Sequence, residues 1–330
     1  MDNISIIIPA YNCEKTIGNL IESIIYQLWD NDELIIIDDG STDQTFNIIS
    51  SFNDPRIKKI RCKNSGPANA RNLGIDSIEK KGYIWFIDAD DQIDANAIDL
   101  IHKNLIYNKD IICYGYLKKT KINGNIKECN KILFNNNIDN GDIIIEEMLD
   151  KQLYNILWNK IIKYSFLIKN NLKFKNVPLI EDVSFVNDMI KLKPALMAFK
   201  SMIYVYNIDL NCKQTVSTKF YPERLDMAIK LNKEYCEIYN LFQLSKGTYN
   251  RINTIFLLDI YLSLIQFYQN DTFNQNKLND NINYIIRSDY IHKKIKFAKP
   301  TSKGAVFIKY LIYFKFKALL KLFLHYKSEI

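Results

Sequence analysis

Two aspartates, Asp88 and Asp90, stand directly after an apolar run and are spaced to bind one cation. Residues 83–87 are rich in β-forming side chains, which predicts a strand buried on both faces of a sheet. Ligands of open α/β sheets bind outside the carboxyl ends of the strands, where both carboxylates would lie. Hard oxygen ligands of this kind suit Mg²⁺ or Mn²⁺ carrying a substrate phosphate. The spacing therefore predicts a site for a divalent metal and a phosphate.

Three further side chains, Tyr11, Asp39 and Arg71, are predicted to lie at the same edge. Apolar runs at residues 4–8, 34–37, 57–60 and 83–87 alternate with predicted helices at 14–28, 44–52 and from about residue 68. This alternation predicts right-handed βαβ units and a parallel sheet whose strand ends share one rim. A tyrosine ring can stack on a base, a carboxylate can accept from a base N–H, and a metal neutralises phosphates. The set is typical of a nucleoside diphosphate site.

Each of these residues also has a structural explanation. Asp91 or Asp94 could cap a helix predicted over residues 95–105, and Asp39 could cap helix 44–52. A tyrosine often lines a wall, and an arginine on an amphipathic helix usually faces solvent. The functional interpretation is favoured because the residues coincide at successive strand ends, which a plain scaffold does not require.

Composition indicates a globular chain with a large core. Of 330 residues 48% are hydrophobic, and only 7 are proline and 10 glycine. The six cysteines form no CxxC pair and no metal-binding spacing, which favours free thiols in a reducing cytosol. No signal peptide is recognised before the first strand, and no clean apolar run reaches the roughly 20 residues of a membrane span. A cytoplasmic protein is expected.

The last forty residues predict a helix that lies on a membrane surface. Residues 291–330 hold ten lysines and one acid, a local charge of +9 that leaves −2 for the rest of the chain's +7. Wound as one helix, this segment places Lys303, Lys309, Lys317, Lys321 and Lys327 within about a third of the circumference, mainly opposite Ile308, Leu311, Ile312, Leu319, Leu322 and Phe323. Such a helix can lie at the anionic inner face of the cytoplasmic membrane, or it can pack on the body. The apolar face disfavours nucleic acid as the partner.

Four segments of the first third resemble the signature blocks of the family 2 glycosyltransferases. They are Ser5-Ile6-Ile7-Ile8-Pro9-Ala10-Tyr11-Asn12, Ile37-Asp38-Asp39-Gly40-Ser41-Thr42-Asp43, Gly66-Pro67-Ala68-Asn69-Ala70-Arg71-Asn72 and Phe86-Ile87-Asp88-Ala89-Asp90-Asp91. The resemblance covers residues 3–110 and implies a GT-A fold, a Rossmann-like mixed, mostly parallel sheet flanked by helices. It also implies inverting transfer from a nucleotide sugar, most often a UDP-sugar. No GxGxxG follows the first strand, which argues against a dinucleotide-binding oxidoreductase.

The resemblance also implies roles for individual residues. Tyr11 and Asp39 would hold the base, Asp88 would lie near the ribose, and Asp90 would bind Mn²⁺ or Mg²⁺, with Asp88 as a second ligand. The complete nucleotide-sugar-binding set comprises Pro9, Tyr11, Asp39, Arg71, Asp88 and Asp90.

Three later blocks resemble the family more loosely and suggest the catalytic base. They are Trp158-Asn159-Lys160, Glu181-Asp182-Val183 and Tyr204-Val205-Tyr206-Asn207. An inverting transfer needs a carboxylate that deprotonates the acceptor hydroxyl, and an acid at a helix N-terminus stays ionised near neutral pH. Asp182 is the favoured base and Glu181 the alternative, although both could simply cap a helix.

The same blocks predict the contacts of the acceptor and of the donor phosphates. Trp158 and Lys160 are expected to bind the acceptor, with Trp158 stacking on a sugar or else buried. Asn207 stands where many relatives have arginine, so Lys213 or Lys219 could contact the phosphates instead.

Together these features predict a hexosyl- or N-acetylhexosaminyltransferase. It would move a sugar to a hydroxyl of a glycan or lipid-linked oligosaccharide during synthesis of O-antigen, capsule or lipooligosaccharide. The alternative is a non-catalytic protein that binds nucleotide sugars or glycans and attaches to membranes by its tail. The expected organisation is a nucleotide-sugar-binding half at 1–115, an acceptor-binding half with the base at 116–219, and a helical region at 220–330. An Asn123-Gly124 hairpin signal lies in the second half.

Overall fold

The structure, a computed structural model, describes residues 2–122, 125–177, 179–209, 220–268 and 275–328. Two compact units are present, Met1–Lys213 and Gln214–Ile330. The predicted Asn123-Gly124 turn, Lys213 and Lys219 lie outside the described residues.

The first unit is built on one mixed sheet. Its strands are β1 (Ile4–Ala10), β2 (Glu33–Asp38), β3 (Ile57–Arg61), β4 (Tyr83–Phe86), β5 (Gln92–Ile93), β6 (Ile111–Ile122), β7 (Asn125–Ile132), β8 (Lys160–Lys163) and β9 (Leu196–Asp209). They are ordered β3-β2-β1-β4-β8-β6-β9-β5, with β7 paired to β6. The first four are mutually parallel, as are β6 and β9, whereas β8 runs antiparallel to β4 and β6. The antiparallel β6–β7 pair agrees with the predicted hairpin.

Helices of the first unit pack on this sheet. They are α1 (Ile17–Gln27), α2 (Thr45–Ser51), α3 (Pro67–Asp76), α4 (Ala97–Leu105), α5 (Gly141–Asp150), α6 (Tyr164–Lys169) and α7 (Glu181–Lys191). The isoleucine-rich strands β1 and β2 are buried along almost their whole length because helices cover parallel strands on both faces. Burial of these runs fixes the positions of the strands, and therefore the positions at which the following loops begin.

The carboxyl ends of the parallel strands meet at one rim, as predicted. Ala10 at the end of β1 lies opposite Asp38 at the end of β2, which lies opposite Arg61 at the end of β3. The backbone N–H of Asp39 donates to the carbonyl of Ala10 at 2.8 Å, which extends the pairing of β1 and β2 by one residue. The loops after β1 and β2 are therefore held side by side.

The second unit is helical. Its helices are α8 (Arg224–Leu241), α9 (Lys246–Tyr268), α10 (Gln275–Arg287), α11 (Asp289–Ile295), α12 (Lys303–Tyr313) and α13 (Lys317–Ser328). Buried side chains of α9, including Leu257, Ile260 and Leu264, form the centre of one apolar core with residues of the other helices. No helix among the described residues combines the length and apolar character needed to cross a membrane.

The prediction of a single continuous tail helix is wrong. The chain breaks between α12 and α13, where Lys315 adopts a positive φ of 60°. Ile308, Leu311 and Ile312, assigned to a membrane-facing side by helical spacing, are buried in the core of the unit. Packing inside the unit therefore uses much of the apolar face, as the alternative interpretation expected.

Candidate active site

The loop after β4 directs two aspartates outward and a third inward. Asp88 is part-exposed, Asp90 is exposed, and Asp91 is buried. The Asp91 carboxylate accepts from the Tyr204 hydroxyl at 2.9 Å and from the backbone N–H of Asn207 at 2.8 Å. The Tyr204 hydroxyl also accepts from the backbone N–H of Asp88 at 3.2 Å. These hydrogen bonds from strand β9 hold the loop in place. Asp91 therefore does not act as the helix N-cap that its sequence position allowed.

Negative charge is concentrated in this loop. Desolvation and the charge of Asp88 raise the pKa of Asp90. Desolvation, followed by the charge of Asp90, raises the pKa of Asp91 to about 8. The Asp90 carboxylate makes no hydrogen bond or ion pair with another residue in the part of the chain that the structure describes. The loop therefore offers anionic oxygen ligands whose mutual repulsion a cation would relieve.

Arg71 on α3 joins this loop to the second acidic block. Its Nη2 lies 3.0 Å from Asp88 Oδ1, its Nη1 lies 2.7 Å from Asp182 Oδ1, and Glu181 Oε1 lies 3.8 Å from Nη1. The guanidinium is buried against the ring of Phe174, so the solvent-facing alternative for Arg71 is wrong. Its Nε and Nη1 are buried and find no hydrogen-bond partner in the described residues, so the contact of Nη1 with Asp182 is an ion pair without hydrogen-bond geometry, and Nε is left as a buried donor without a protein acceptor.

Asp182 lies in the first turn of α7 and titrates close to neutral pH. Desolvation raises its pKa to about 7, the nearby Arg71 guanidinium opposes that rise, and the charges of Asp88 and Glu181 add to it. The helix terminus therefore does not by itself keep this acid fully ionised at neutral pH, because desolvation is the largest influence on its pKa. A carboxyl that titrates near the working pH suits a general base. The N-cap is Ile180, with no side-chain cap bond, so neither acid is the cap.

The residues predicted to contact the nucleobase of the donor lie on the rim beside this cluster. Tyr11 follows β1 and is 50% exposed, while Pro9 is part-exposed within β1. Asp39 is buried and accepts from the backbone N–H groups of Ser65 at 2.8 Å and Gly66 at 2.9 Å. Asp39 therefore orders the loop before α3 and does not cap α2. Oδ1 also accepts from the Ser65 hydroxyl at 3.3 Å, so Oδ2, which accepts from the Gly66 N–H, is the oxygen that keeps a lone pair for a ligand.

Trp158 and Lys160 are both buried, and their predicted contacts with an acceptor do not fit their surroundings. Trp158 stacks on Tyr204 with ring centroids 4.1 Å apart, which favours the buried alternative. Lys160 Nζ donates to the carbonyls of Leu153 at 3.0 Å and Tyr154 at 3.1 Å. The prediction for Lys160 is wrong because its ammonium binds the preceding loop. Burial also lowers its pKa to about 8.

Two site features were missed by sequence reasoning. Tyr204 was recognised only as part of a block, yet its hydroxyl bonds both Asp88 and Asp91. Tyr206 is 36% exposed at the edge of an aromatic cluster, with its ring centroid 5.7 Å from that of Trp158. Alternation along a strand was the available signal, because it places Tyr204 and Tyr206 on one face.

Comparison with solved structures identifies a known fold class. S. aureus TarS 1–349 in complex with UDP-GlcNAc superposes with a TM-score of 0.66 at 19% identity, covering 97% of this chain and 91% of that chain. A second structure of S. aureus TarS 1–349, for which no ligand is named, gives a TM-score of 0.65 at 18% identity. These likenesses confirm the GT-A fold class.

Sequence relatives are bacterial glycosyltransferases and a teichoic acid protein. The glucosyltransferase WfaP of Escherichia coli is 48% identical over 94 residues, covering 28% of this chain and 36% of that protein. The minor teichoic acid biosynthesis protein GgaA of Bacillus subtilis is 41% identical over 105 residues, covering 30% of this chain and 24% of that protein. The chain thus spans much less than two thirds of either relative.

The family comparison covers a longer segment, which includes β1 to β8 and the acidic loop. The model described as glycosyl transferase family 2 matches residues 5–170, about half of the chain. The resemblance found in the four signature blocks is confirmed: the chain belongs to glycosyl transferase family 2.

Proposed function

We propose that this protein is an inverting glycosyltransferase that moves a hexosyl or N-acetylhexosaminyl group from a UDP-sugar to a hydroxyl of a surface-polysaccharide precursor. The single observation that supports this most is Arg71, which contacts Asp88 of the donor block and Asp182 of the proposed base block. One guanidinium thereby sets the spacing between the donor loop and a carboxyl able to accept a proton.

Asp182 is the base in the proposed reaction; desolvation raises its pKa, and the charges of Asp88 and Glu181 add to that rise. The Asp182 carboxylate takes the proton from the acceptor hydroxyl. The acceptor oxygen then forms a bond to the anomeric carbon on the face opposite the nucleotide. The bond from the anomeric carbon to the phosphate oxygen breaks, and UDP leaves with that electron pair. Configuration at the anomeric carbon inverts.

The donor is held by the rim residues. Tyr11 stacks on the uracil, Asp39 accepts from its N–H, and Pro9 lies beneath. Arg71 uses its unpartnered Nε for a donor oxygen. A UDP-sugar is the proposed donor because TarS has a complex with UDP-GlcNAc and WfaP is described as using UDP-Glc.

A divalent cation, Mn²⁺ or Mg²⁺, fits the acidic loop. The described residues hold no group of three or more metal-binding side chains, so Asp90, with Asp88, would share the ion with donor phosphates and water. The exposed carboxylate of Asp90 and its raised pKa match a cation ligand. When bound, the metal neutralises the charge on the departing diphosphate.

The proposed acceptor is a glycan or a lipid-linked oligosaccharide. WfaP is described as acting on a GlcNAc-diphosphoundecaprenol, and GgaA as a minor teichoic acid biosynthesis protein. Tyr206 replaces Trp158 as the aromatic residue for the acceptor, because its ring is partly exposed. Residues 1–115 bind donor, 116–219 bind acceptor and supply the base, and 220–330 attach the enzyme to the cytoplasmic membrane.

Donor hydrolysis provides the test. Purified protein is incubated with a panel of UDP-sugars and Mn²⁺ without acceptor, and UDP release is measured. One UDP-sugar should be hydrolysed slowly, and EDTA or the Asp90→Asn substitution should stop the reaction. The non-catalytic alternative predicts UDP binding by calorimetry with no UDP release and no transfer to any acceptor.

A further inference from the structure

Exposed aromatic rings surround the break between α12 and α13. All seven residues from Tyr313 to Leu319 are exposed, and the segment reads Tyr-Phe-Lys-Phe-Lys-Ala-Leu. The ring of Phe314 lies at the centre of this group, with centroid separations of 5.3 to 6.2 Å from the rings of Tyr310, Tyr313 and Phe316. We call these four rings with Lys315 and Lys317 the aromatic turn.

Packing inside the helical unit does not explain these rings. Phe314 and Phe316 are 56% and 51% exposed, while Leu311 and Leu320, on either side of the turn, are buried. The helices are therefore anchored by other side chains, and a soluble monomer has no need of contiguous exposed rings. Two phenylalanines at a helix–helix turn, where polar residues would serve, indicate a surface that is covered in use.

The charge around the rings identifies the covering partner. Residues 291–330 hold ten lysines against one acid, and Lys315 and Lys317 alternate with the phenylalanines. A second copy of this chain would bring like charges together, whereas anionic lipid headgroups would neutralise them. Phenylalanine and tyrosine rings are also suited to the boundary between headgroups and acyl chains.

We propose that the aromatic turn is the membrane-contacting surface, with Phe314 and Phe316 inserted in the interface of an anionic bilayer and Lys315 and Lys317 on lipid phosphates. The inference deepens the proposed membrane attachment, but it names a turn and not the lysine face of one long helix. Its test measures lipid binding and not transfer, so failure of the catalytic proposal would leave it intact.

Vesicle co-sedimentation of the full chain tests the proposal. Vesicles are made of phosphatidylcholine alone or mixed with phosphatidylglycerol, in NaCl of about 0.1 M and about 1 M, where the Debye length falls from about 10 Å to about 3 Å. We expect binding to the anionic vesicles at low salt and much less in the other conditions. Lys315→Gln with Lys317→Gln should lower the partition coefficient roughly 25-fold, about fivefold per lysine.

The rings are tested separately from the charges. Phe314→Ser with Phe316→Ser should lower the partition coefficient by roughly tenfold or more. Matched controls are Tyr26→Ser with Tyr284→Ser, which remove two exposed rings elsewhere, and Lys230→Gln with Lys246→Gln, which remove two exposed lysines of the same unit. Both controls should bind like the parent chain, and thermal unfolding should confirm that all variants are folded.

Three results would overturn the proposal. The parent chain could remain in the supernatant with anionic vesicles, or the phenylalanine variant could bind as well as the parent. The parent could also be a dimer by sedimentation velocity that the phenylalanine substitutions dissociate, without lipid binding. That last result would assign the aromatic turn to a second copy of this chain.

Discussion

Arg71 and Asp182 form an ion pair with 2.7 Å between Nη1 and Oδ1, although the two residues lie 111 positions apart in the sequence. Nη2 of the same guanidinium lies 3.0 Å from Asp88 Oδ1. Because the guanidinium is buried, these contacts are poorly screened and hold α3, α7 and the loop after β4 together. A change in the charge of Asp88 or Asp182 should therefore alter the electrostatic environment of the other carboxylate through Arg71.

The first prediction concerns the base. Asp182→Asn removes the proton acceptor while keeping the size of the side chain, so turnover should fall by about 10²–10⁴. Binding of the UDP-sugar, measured by calorimetry, should persist. Glu181→Gln is the matched control, since its carboxylate lies farther from Arg71, at 3.8 Å, and should keep most of the activity. If Glu181→Gln is the inactive variant, the two roles are exchanged.

The second prediction concerns pH. Asp182 must be ionised to accept a proton, so kcat/KM should fall as the pH drops below about 7, by about tenfold per unit once well below. The charges that face this carboxyl are Arg71 and Lys160, which lower its pKa, and Asp88 and Glu181, which raise it.

Arg71→Gln tests the origin of that pH dependence. Removing the cation should move the acidic limb of the profile to higher pH, because the ionised form of Asp182 loses its nearest opposite charge. Arg71→Lys should move the limb less. An acidic limb that stays in place in both variants would show that another group controls it.

The third prediction concerns the metal. Asp90→Asn should abolish metal-dependent donor binding and transfer, while the melting temperature stays near that of the parent, because Asp90 is exposed and makes no bond to another described residue. Asp94→Asn is the control, as its carboxylate accepts from the backbone N–H of Asn96 in the same segment. Full activity of the parent protein in excess EDTA would contradict the prediction.

Periodicity and strand-end chemistry predicted the first half of the fold well. The isoleucine runs of β1 and β2 predict strands buried on both faces. Parallel pairing of these strands then brings Tyr11 and Asp39 to one rim. The four motif blocks also placed Asp88 and Asp90 at a strand end. These properties depend on local pattern, which a sequence displays directly.

Long-range polar contacts could not be predicted in the same way. The burial of Arg71 and of Lys160 and the partner of Asp91 depend on which segments pack together across the sheet. The prediction for the last forty residues was wrong for a related reason. Their apolar residues have helical spacing, but that spacing does not distinguish a membrane-facing side of a helix from a core-facing one.

The last prediction concerns Tyr204, which fixes the acidic loop without facing the reaction. Tyr204→Phe deletes a hydroxyl that donates to Asp91 Oδ2 at 2.9 Å and accepts from the Asp88 backbone N–H at 3.2 Å. Leaving these buried groups unpaired should cost about 1–3 kcal/mol of unfolding free energy.

The position of Asp88 should then be less well defined, so KM for the donor and the apparent Kd for Mn²⁺ should rise more than kcat falls. Tyr206→Phe is the matched control, because it removes a hydroxyl from the same strand outside the contacts that hold the loop. Stability is measured by urea unfolding, and metal affinity is measured by titration with Mn²⁺. If Tyr204→Phe lowers stability but leaves Mn²⁺ affinity unchanged, Tyr204 supports the core and does not position the loop.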